Sequence, residues 1–186
     1  DEVEVVNYSA GTHKGMTAKV QILNMDASVA WEKEATVDSN EDTTNKCIKL
    51  SFPADLSKVH FIKMVLTENG KVVSDNFYHR SLEENNYQDL RQLAKVALQT
   101  TTTVDKNADG TWSAVSVVEN KTSTPALMIR LNVVGNKDGQ QLLPVFYSDN
   151  YFSLLPGEKK EVRMSWKDED TRGNEGEVLI TGYNVE

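Results

Sequence analysis

Apolar and polar residues alternate one by one along most of this chain, and that period of two limits what it can fold into. Over 16–25, Met16, Ala18, Val20 and Ile22 alternate with Thr17, Lys19 and Gln21, the pattern of a strand with one buried and one solvated face. Five more such segments fall in the first half, at 3–6, 29–37, 46–52, 59–68 and 71–78. Seven follow in the second, at 96–104, 111–118, 126–134, 141–147, 151–154, 160–166 and 177–183. Asp109-Gly110, Thr124-Pro125, Asp138-Gly139, Pro156-Gly157 and similar turn signals separate them. Asn69-Gly70 is the strongest of these: it predicts a hairpin over 59–78, because both central residues of a type I′ turn need positive φ.

The alternation lapses only once. In 81–94 a polar run, Glu83 to Asn86, precedes Tyr87, Leu90, Leu93 and Ala94 at helical spacing, which predicts a linker with one or two helical turns. Short strands at roughly 8–12-residue spacing on both sides of it predict an all-β chain of two consecutive antiparallel β-sandwiches. The expected domains are 1–80 and 96–186, with 81–95 as the linker.

Charge and composition exclude several classes of function. The 186 residues carry 28 acids against 20 bases, a net charge of −8, with no cationic stripe. Residues 1–90 hold nine bases and fifteen acids, a net −6, and 91–186 eleven and thirteen, a net −2. Nucleic acid and membranes are therefore not expected as partners. Apolar runs are only a handful of residues long, against the ~18 that a spanning helix needs. The first residues, Asp1 to Val6, lack an initiator Met, a basic region and an apolar core, so the chain is expected to be a piece of something longer, with no targeting signal of its own. Cys47 is the lone cysteine; it can form no internal disulfide and reads as a small buried hydrophobe.

Candidate chemistry is sparse. Asp105-Lys106-Asn107-Ala108-Asp109-Gly110 copies the first half of a calcium loop, but position twelve is Ser116, which cannot supply the bidentate carboxylate, so an Asp-Gly turn is expected. His13, His60 and His79 share no metal-ligand spacing and read as structural or surface histidines. Nucleophile elbows and phosphate loops are absent. The steps Asn40-Glu41 and Asn174-Glu175 fall in polar turns, outside any barrel framework that would make them acid/base residues. No cofactor or metal is expected. Trp31, Trp112 and Trp166 lie in strands and read as core. Tyr147 and Tyr151, flanking Ser148, Asp149 and Asn150, are the better candidates for an exposed aromatic surface. A tight turn at Asp149-Asn150 would hold the two tyrosines together while Phe146 and Phe152 point inward.

The stretch 143–158, which contains Tyr147-Ser148-Asp149-Asn150-Tyr151-Phe152, together with Gly182-Tyr183-Asn184, resembles the C-terminal immunoglobulin-like domain of family 2 glycoside hydrolases of the exo-β-glucosaminidase and β-mannosidase type. The first half resembles the preceding immunoglobulin-like domain: Val5-Val6-Asn7, residues 19–26, Trp31-Glu32-Lys33-Glu34, Phe61-Ile62-Lys63-Met64 and Ser74-Asp75-Asn76-Phe77-Tyr78. Asp89-Leu90 and Leu93 resemble the connecting segment. Relatives often carry Trp where this chain has Tyr147.

The resemblance implies two immunoglobulin-like sandwiches that follow a catalytic (β/α)₈ barrel in a periplasmic or secreted bacterial parent. The nucleophile and acid/base glutamates reside in that barrel, so no catalytic residue is carried onto this chain. Three functions are open. One is an accessory pair packing on the barrel of a retaining β-glycosidase (β-mannosidase, exo-β-glucosaminidase or β-galactosidase). The second is an independent carbohydrate-binding module that takes an oligosaccharide. The third is an adhesion or spacer tandem. Tyr147, Ser148, Asp149, Asn150 and Tyr151 are the expected interface or sugar-approach surface.

Overall fold

The computed structural model describes residues 1–186 and divides them into two compact units, Asp1–Gln92 and Leu93–Glu186. Both are immunoglobulin-like antiparallel sandwiches, and helix is confined to two 3-10 turns, Gln88–Gln92 and Asp168–Thr171.

The first unit is built from β1 (Glu2–Asn7), β2 (His13–Asn24), β3 (Val29–Ser39), β4 (Thr43–Lys49), β5 (Val59–Glu68) and β6 (Lys71–Ser81). A four-stranded sheet in the order β3-β2-β5-β6 faces a two-stranded one, β1-β4. The alternation seen in the sequence becomes the inner face: Met16, Ala18, Val20 and Ile22 of β2 are buried, and Val5, Val37, Ile48 and Ile62 pack with them. Register follows from that face, with Ile22 opposite Ile62 and Val20 opposite Met64, because a one-residue slip would turn the apolar set to water. Asn69 (φ 50°) and Gly70 (φ 76°) both take positive φ and close the β5–β6 hairpin, as the sequence predicts.

The second unit comprises β7 (Gln99–Lys106), β8 (Thr111–Glu119), β9 (Ala126–Gly135), β10 (Phe146–Tyr147), β11 (Phe152–Leu154), β12 (Lys159–Lys167) and β13 (Gly176–Thr181). Its sheets are β10-β12-β8-β7 and β11-β9-β13. Thirteen buried residues form its core, among them Val118, Ile129, Leu131, Val133, Val162 and Trp166. Trp166 stacks on Trp112 with centroids 6.3 Å apart and planes 3° from parallel. A Cβ on Gly176 would come within 2.4 Å of the Trp166 ring, so only glycine admits the indole there. Trp112 donates its ring N–H to Asp168 Oδ1 at 2.7 Å, and Lys106 donates to Oδ2 of the same carboxylate at 2.8 Å.

Two sequence expectations need correction. The strand over 141–147 shrinks to Phe146–Tyr147, with one isolated bridge from Gln141 to Val134. Pro144 interrupts the segment because it has no N–H for a ladder. The second correction is Phe146, which does not point inward. It is 69% exposed, while Phe152 is buried as expected.

Candidate functional site

The aromatic segment 146–152 carries the chain from one sheet of the second unit to the other. Phe146 and Tyr147 pair with Ser165 and Met164 of β12, and Phe152 pairs with Ile129 of β9 in the opposite sheet. The residues between must stitch the two sheets together, and they use polar side chains to do so. Ser148 donates its N–H to the Arg163 carbonyl at 2.8 Å, and its hydroxyl accepts the Arg163 N–H at 2.9 Å. Asn150 accepts the Leu131 N–H and donates to the Leu131 carbonyl, both at 2.9 Å. An asparagine side chain sets N–H donors and a carbonyl acceptor in one plane, as a peptide group does, so it stands in for a missing strand partner. Tyr147 reaches across to accept the Val133 N–H on its hydroxyl at 3.2 Å. Burial raises its pKa above the ordinary phenol value, Val133 and Arg130 oppose that rise, and Tyr151 adds to it.

Asp149 accepts the Asn150 N–H at 2.7 Å. Its other oxygen is paired with Lys160, whose ammonium lies 5.1 Å from the Phe152 ring centroid. Tyr151 takes a left-handed φ of 59° and is 61% exposed. The five residues singled out in the sequence therefore divide. Tyr147, Ser148, Asp149 and Asn150 are held by the fold, and Tyr151 alone turns its ring outward. Phe146 and Leu143, 69% and 62% exposed, join it as solvent-facing apolar side chains of this segment. Pro144 was the available signal for that exposure, since proline marks an edge strand.

The same asparagine device recurs where the sequence offered no candidate. Asn184 is 2% exposed. It accepts the Leu127 N–H at 2.9 Å and donates to the carbonyls of Pro125 and Ala94 at 2.9 and 3.0 Å. Asn120, fully buried, donates to the carbonyls of Leu154 and Thr124 while its oxygen accepts from Thr122.

The remaining candidates are turns. Asp109 accepts the Thr111 hydroxyl and N–H at 2.6 and 3.0 Å, which lowers its pKa and closes the β7–β8 hairpin. Glu41 accepts the Gly11 N–H at 2.9 Å; Asn174 donates to the Thr171 carbonyl at 3.1 Å. No group of three or more His, Cys, Asp or Glu side chains is placed to hold a metal ion. His13 contacts Glu68 at 2.9 Å. Burial lowers the pKa of both His60 and His79, and the Arg80 cation adds a smaller push at His60.

Fold and segment together define a tandem of immunoglobulin-like sandwiches of which the second is closed by an aromatic, asparagine-bearing inter-sheet crossing. Residues 76–185 match the family described as the exo-β-D-glucosaminidase Ig-fold domain, and the chain belongs to that family. Residues 2–81 match the family described as the mannosidase Ig/CBM-like domain. The chain is 30% identical to an exo-β-D-glucosaminidase of Streptomyces avermitilis, with 98% of this chain and 23% of that protein aligned. It is 27% identical to one of Arthroderma benhamiae, over 99% of this chain and 22% of that protein. The crystal structure of an exo-chitosanase from Amycolatopsis orientalis superposes with a TM-score of 0.91 at 26% identity, covering 99% of this chain and 24% of that one. The chain thus spans less than a quarter of the length of these relatives.

Proposed function

We propose that these two sandwiches are non-catalytic accessory domains of a family 2 glycoside hydrolase of the exo-β-D-glucosaminidase type, and that they pack against and support its catalytic barrel. The observation that carries the reading is coverage: nearly the whole chain aligns, as one piece, to about a fifth to a quarter of proteins named exo-β-D-glucosaminidase. The chemistry agrees with a supporting role. A retaining glycosidase needs two carboxyls ~5–5.5 Å apart beside a sugar pocket, and in this chain Asp109, Asp149 and Asp168 are each engaged by a turn or a lysine.

The 186-residue chain, assayed against chromogenic β-glucosaminide, β-mannoside and β-galactoside, is expected to give no turnover. Turnover abolished by a substitution within 1–186 overturns the reading. Excising the chain from its parent is expected to lower the parent's melting temperature and soluble yield. Saturable binding of glucosamine oligomers by the isolated chain, lost on Tyr151→Ala, would replace this reading with an independent carbohydrate-binding module.

A further inference from the structure

The two units match strand for strand in topology, except that one strand of the second has no counterpart in the first. In the second unit β8 pairs with β12, and β9 lies between β11 and β13. In the first, β1 pairs with β4, and β2 lies between β3 and β5. All these pairs are antiparallel and fall in the same chain order, so β1 corresponds to β8, β2 to β9, β3 to β11, β4 to β12 and β5 to β13. The match breaks at the other edge of β8. There β7 pairs along the whole strand, from Gln99 opposite Glu119 to Lys106 opposite Trp112, and comes close to β13. Val104 of β7 and Leu98 just before it pack on the core. β1 has no strand on the equivalent edge, and a groove lies there instead. Three cavities of about 360, 220 and 320 Å³ follow one another along β1. The middle one shares Val3 and Met64 with the first and Val5 and Leu66 with the last. Met64 and Leu66, half-buried, belong to β5, the strand that matches β13, so the groove opens where β7 lies in the second unit.

We propose that the residues of the parent polypeptide immediately N-terminal to Asp1 form a strand antiparallel to β1 that closes this edge and fills the groove. The second unit fixes the occupant. β7 reaches β8 through residues 107–110, and a strand placed ahead of β1 in the same way would end beside Glu2. Asp1 and Arg80 of β6 line that end of the groove and are bonded to each other at 2.9 Å, so the residue to which the turn attaches already stands at the opening. A strand as long as β1 plus a hairpin turn needs roughly ten residues. Adjacent strands lie ~4.8 Å apart and stacked sheets ~10 Å apart, so the inward side chains of the added strand come to rest on Met64 and Leu66. Those alternate positions are expected to be apolar, as Leu98 and Val104 are in the second unit. Pairing also satisfies the outward row of backbone N–H and C=O groups that a bare edge leaves open. This chain covers less than a quarter of each aligned relative, so there is polypeptide to supply the strand. Nothing here depends on what the sandwiches do in the parent; it rests only on the reading of the chain as part of a longer polypeptide.

The test compares the 186-residue chain with one extended by the roughly ten residues that precede Asp1 in the parent, and with one carrying a Gly/Ser extension of equal length. The native extension is expected to slow hydrogen exchange along β1 by at least about tenfold. It is also expected to raise the melting temperature of the first unit by roughly 4 °C or more, with β9 and β12 unchanged. The Gly/Ser extension is expected to do neither. Of two adjacent residues in an antiparallel strand one donates its N–H to the partner, so a pair of prolines in the middle of the native extension is expected to abolish both gains. The proposal is overturned if the native extension protects β1 no more than Gly/Ser does, if the protection falls on β3 or β6 instead, or if the prolines leave the gains intact. Concentration-dependent protection of β1 in the unextended chain that the native extension leaves unaltered also overturns it, assigning the edge to a second copy. No arm reads glycoside turnover, so failure here and failure of the accessory-domain reading are told apart.

Discussion

The two units share an architecture and differ in how they close it. The second interleaves a four-stranded and a three-stranded sheet around thirteen buried core residues and pins the crossing between them with Ser148, Asn150 and Tyr147. The first covers a four-stranded sheet with only two strands, buries nine residues in its core, and leaves β1 with a free edge. All three histidines, His13, His60 and His79, belong to the first unit. Closure in the second unit rests on large buried groups and asparagine-to-backbone pairing. The first combines a smaller core with buried titratable rings, and the difference predicts that the units respond to different perturbations.

The largest effect is expected in the second core. Trp166→Ala removes a 2%-exposed indole stacked on Trp112, and burying such a side chain stabilises a core by about 3–5 kcal/mol relative to alanine. Hydrogen exchange resolved by segment should show residues 93–186 losing protection while β2 and β5 keep theirs. Equal loss in both units would erase the distinction drawn between them.

Next comes the asparagine device. Asn184→Ala leaves the Leu127 N–H and the Pro125 carbonyl without their side-chain partner inside the second unit. A single buried group left unpaired costs about 1–3 kcal/mol, so the second unit is expected to lose roughly 3 kcal/mol in denaturant unfolding. Asn7→Ala is the matched change in the first unit. Asn7 is also buried, but it bonds chiefly within its own loop, to Gly11 and Ser9, so about 1 kcal/mol is expected.

These two asparagines also show how far the sequence alone carries. Strand positions and sandwich class followed from alternation, because period-two burial is a local property of each strand, as in Met16 to Ile22. The Asn69-Gly70 hairpin was legible for the same reason, since its φ requirement belongs to two adjacent residues. Asn184 belongs to the resembling motif Gly182-Tyr183-Asn184, yet its role depends on backbone groups at Ala94, Pro125 and Leu127, 57 to 90 residues away. No local pattern encodes such a partner. The free edge of β1 escaped for a related reason. Glu2-Val3-Glu4-Val5 reads as an ordinary half-buried strand, and the lack of a neighbour on one edge is a property of topology.

A smaller effect separates the units by pH. Burial lowers the pKa of His60 and His79, so both rings are neutral in the folded chain at a pH where the unfolded chain, with histidine pKa near ~6.5, already binds protons. The unfolded state then holds more protons than the native one, and stability falls as pH drops below about 6.5 toward the lowered native values. Above about 6.5 both states are neutral at these rings and the effect vanishes. The first unit is expected to lose melting temperature between pH 7 and pH 5.5, and His60→Phe with His79→Phe should flatten that dependence. The second unit has no histidine, so a slope of equal size there would sink the assignment.

The smallest effect on stability is expected at the outward face of the aromatic segment, and there the contrast lies within a single motif. Asn150 holds both polar groups of Leu131, whereas Tyr151 and Phe146 spend most of their surface in water. Asn150→Ala should therefore destabilise the second unit by about 2 kcal/mol. Tyr151→Ala and Phe146→Ser should change it by no more than about 0.5 kcal/mol, as exposed substitutions do. Replacing Tyr151 also relieves a left-handed φ only if glycine is installed, so Tyr151→Gly should be neutral or slightly stabilising. The accessory-domain reading adds a second readout: in the full-length parent, Tyr151→Ala with Phe146→Ser should weaken docking or activity while the isolated chain melts unchanged. A drop of several degrees in the isolated chain would instead make these rings part of the fold, and the segment would then be a stitch between sheets with no outward role.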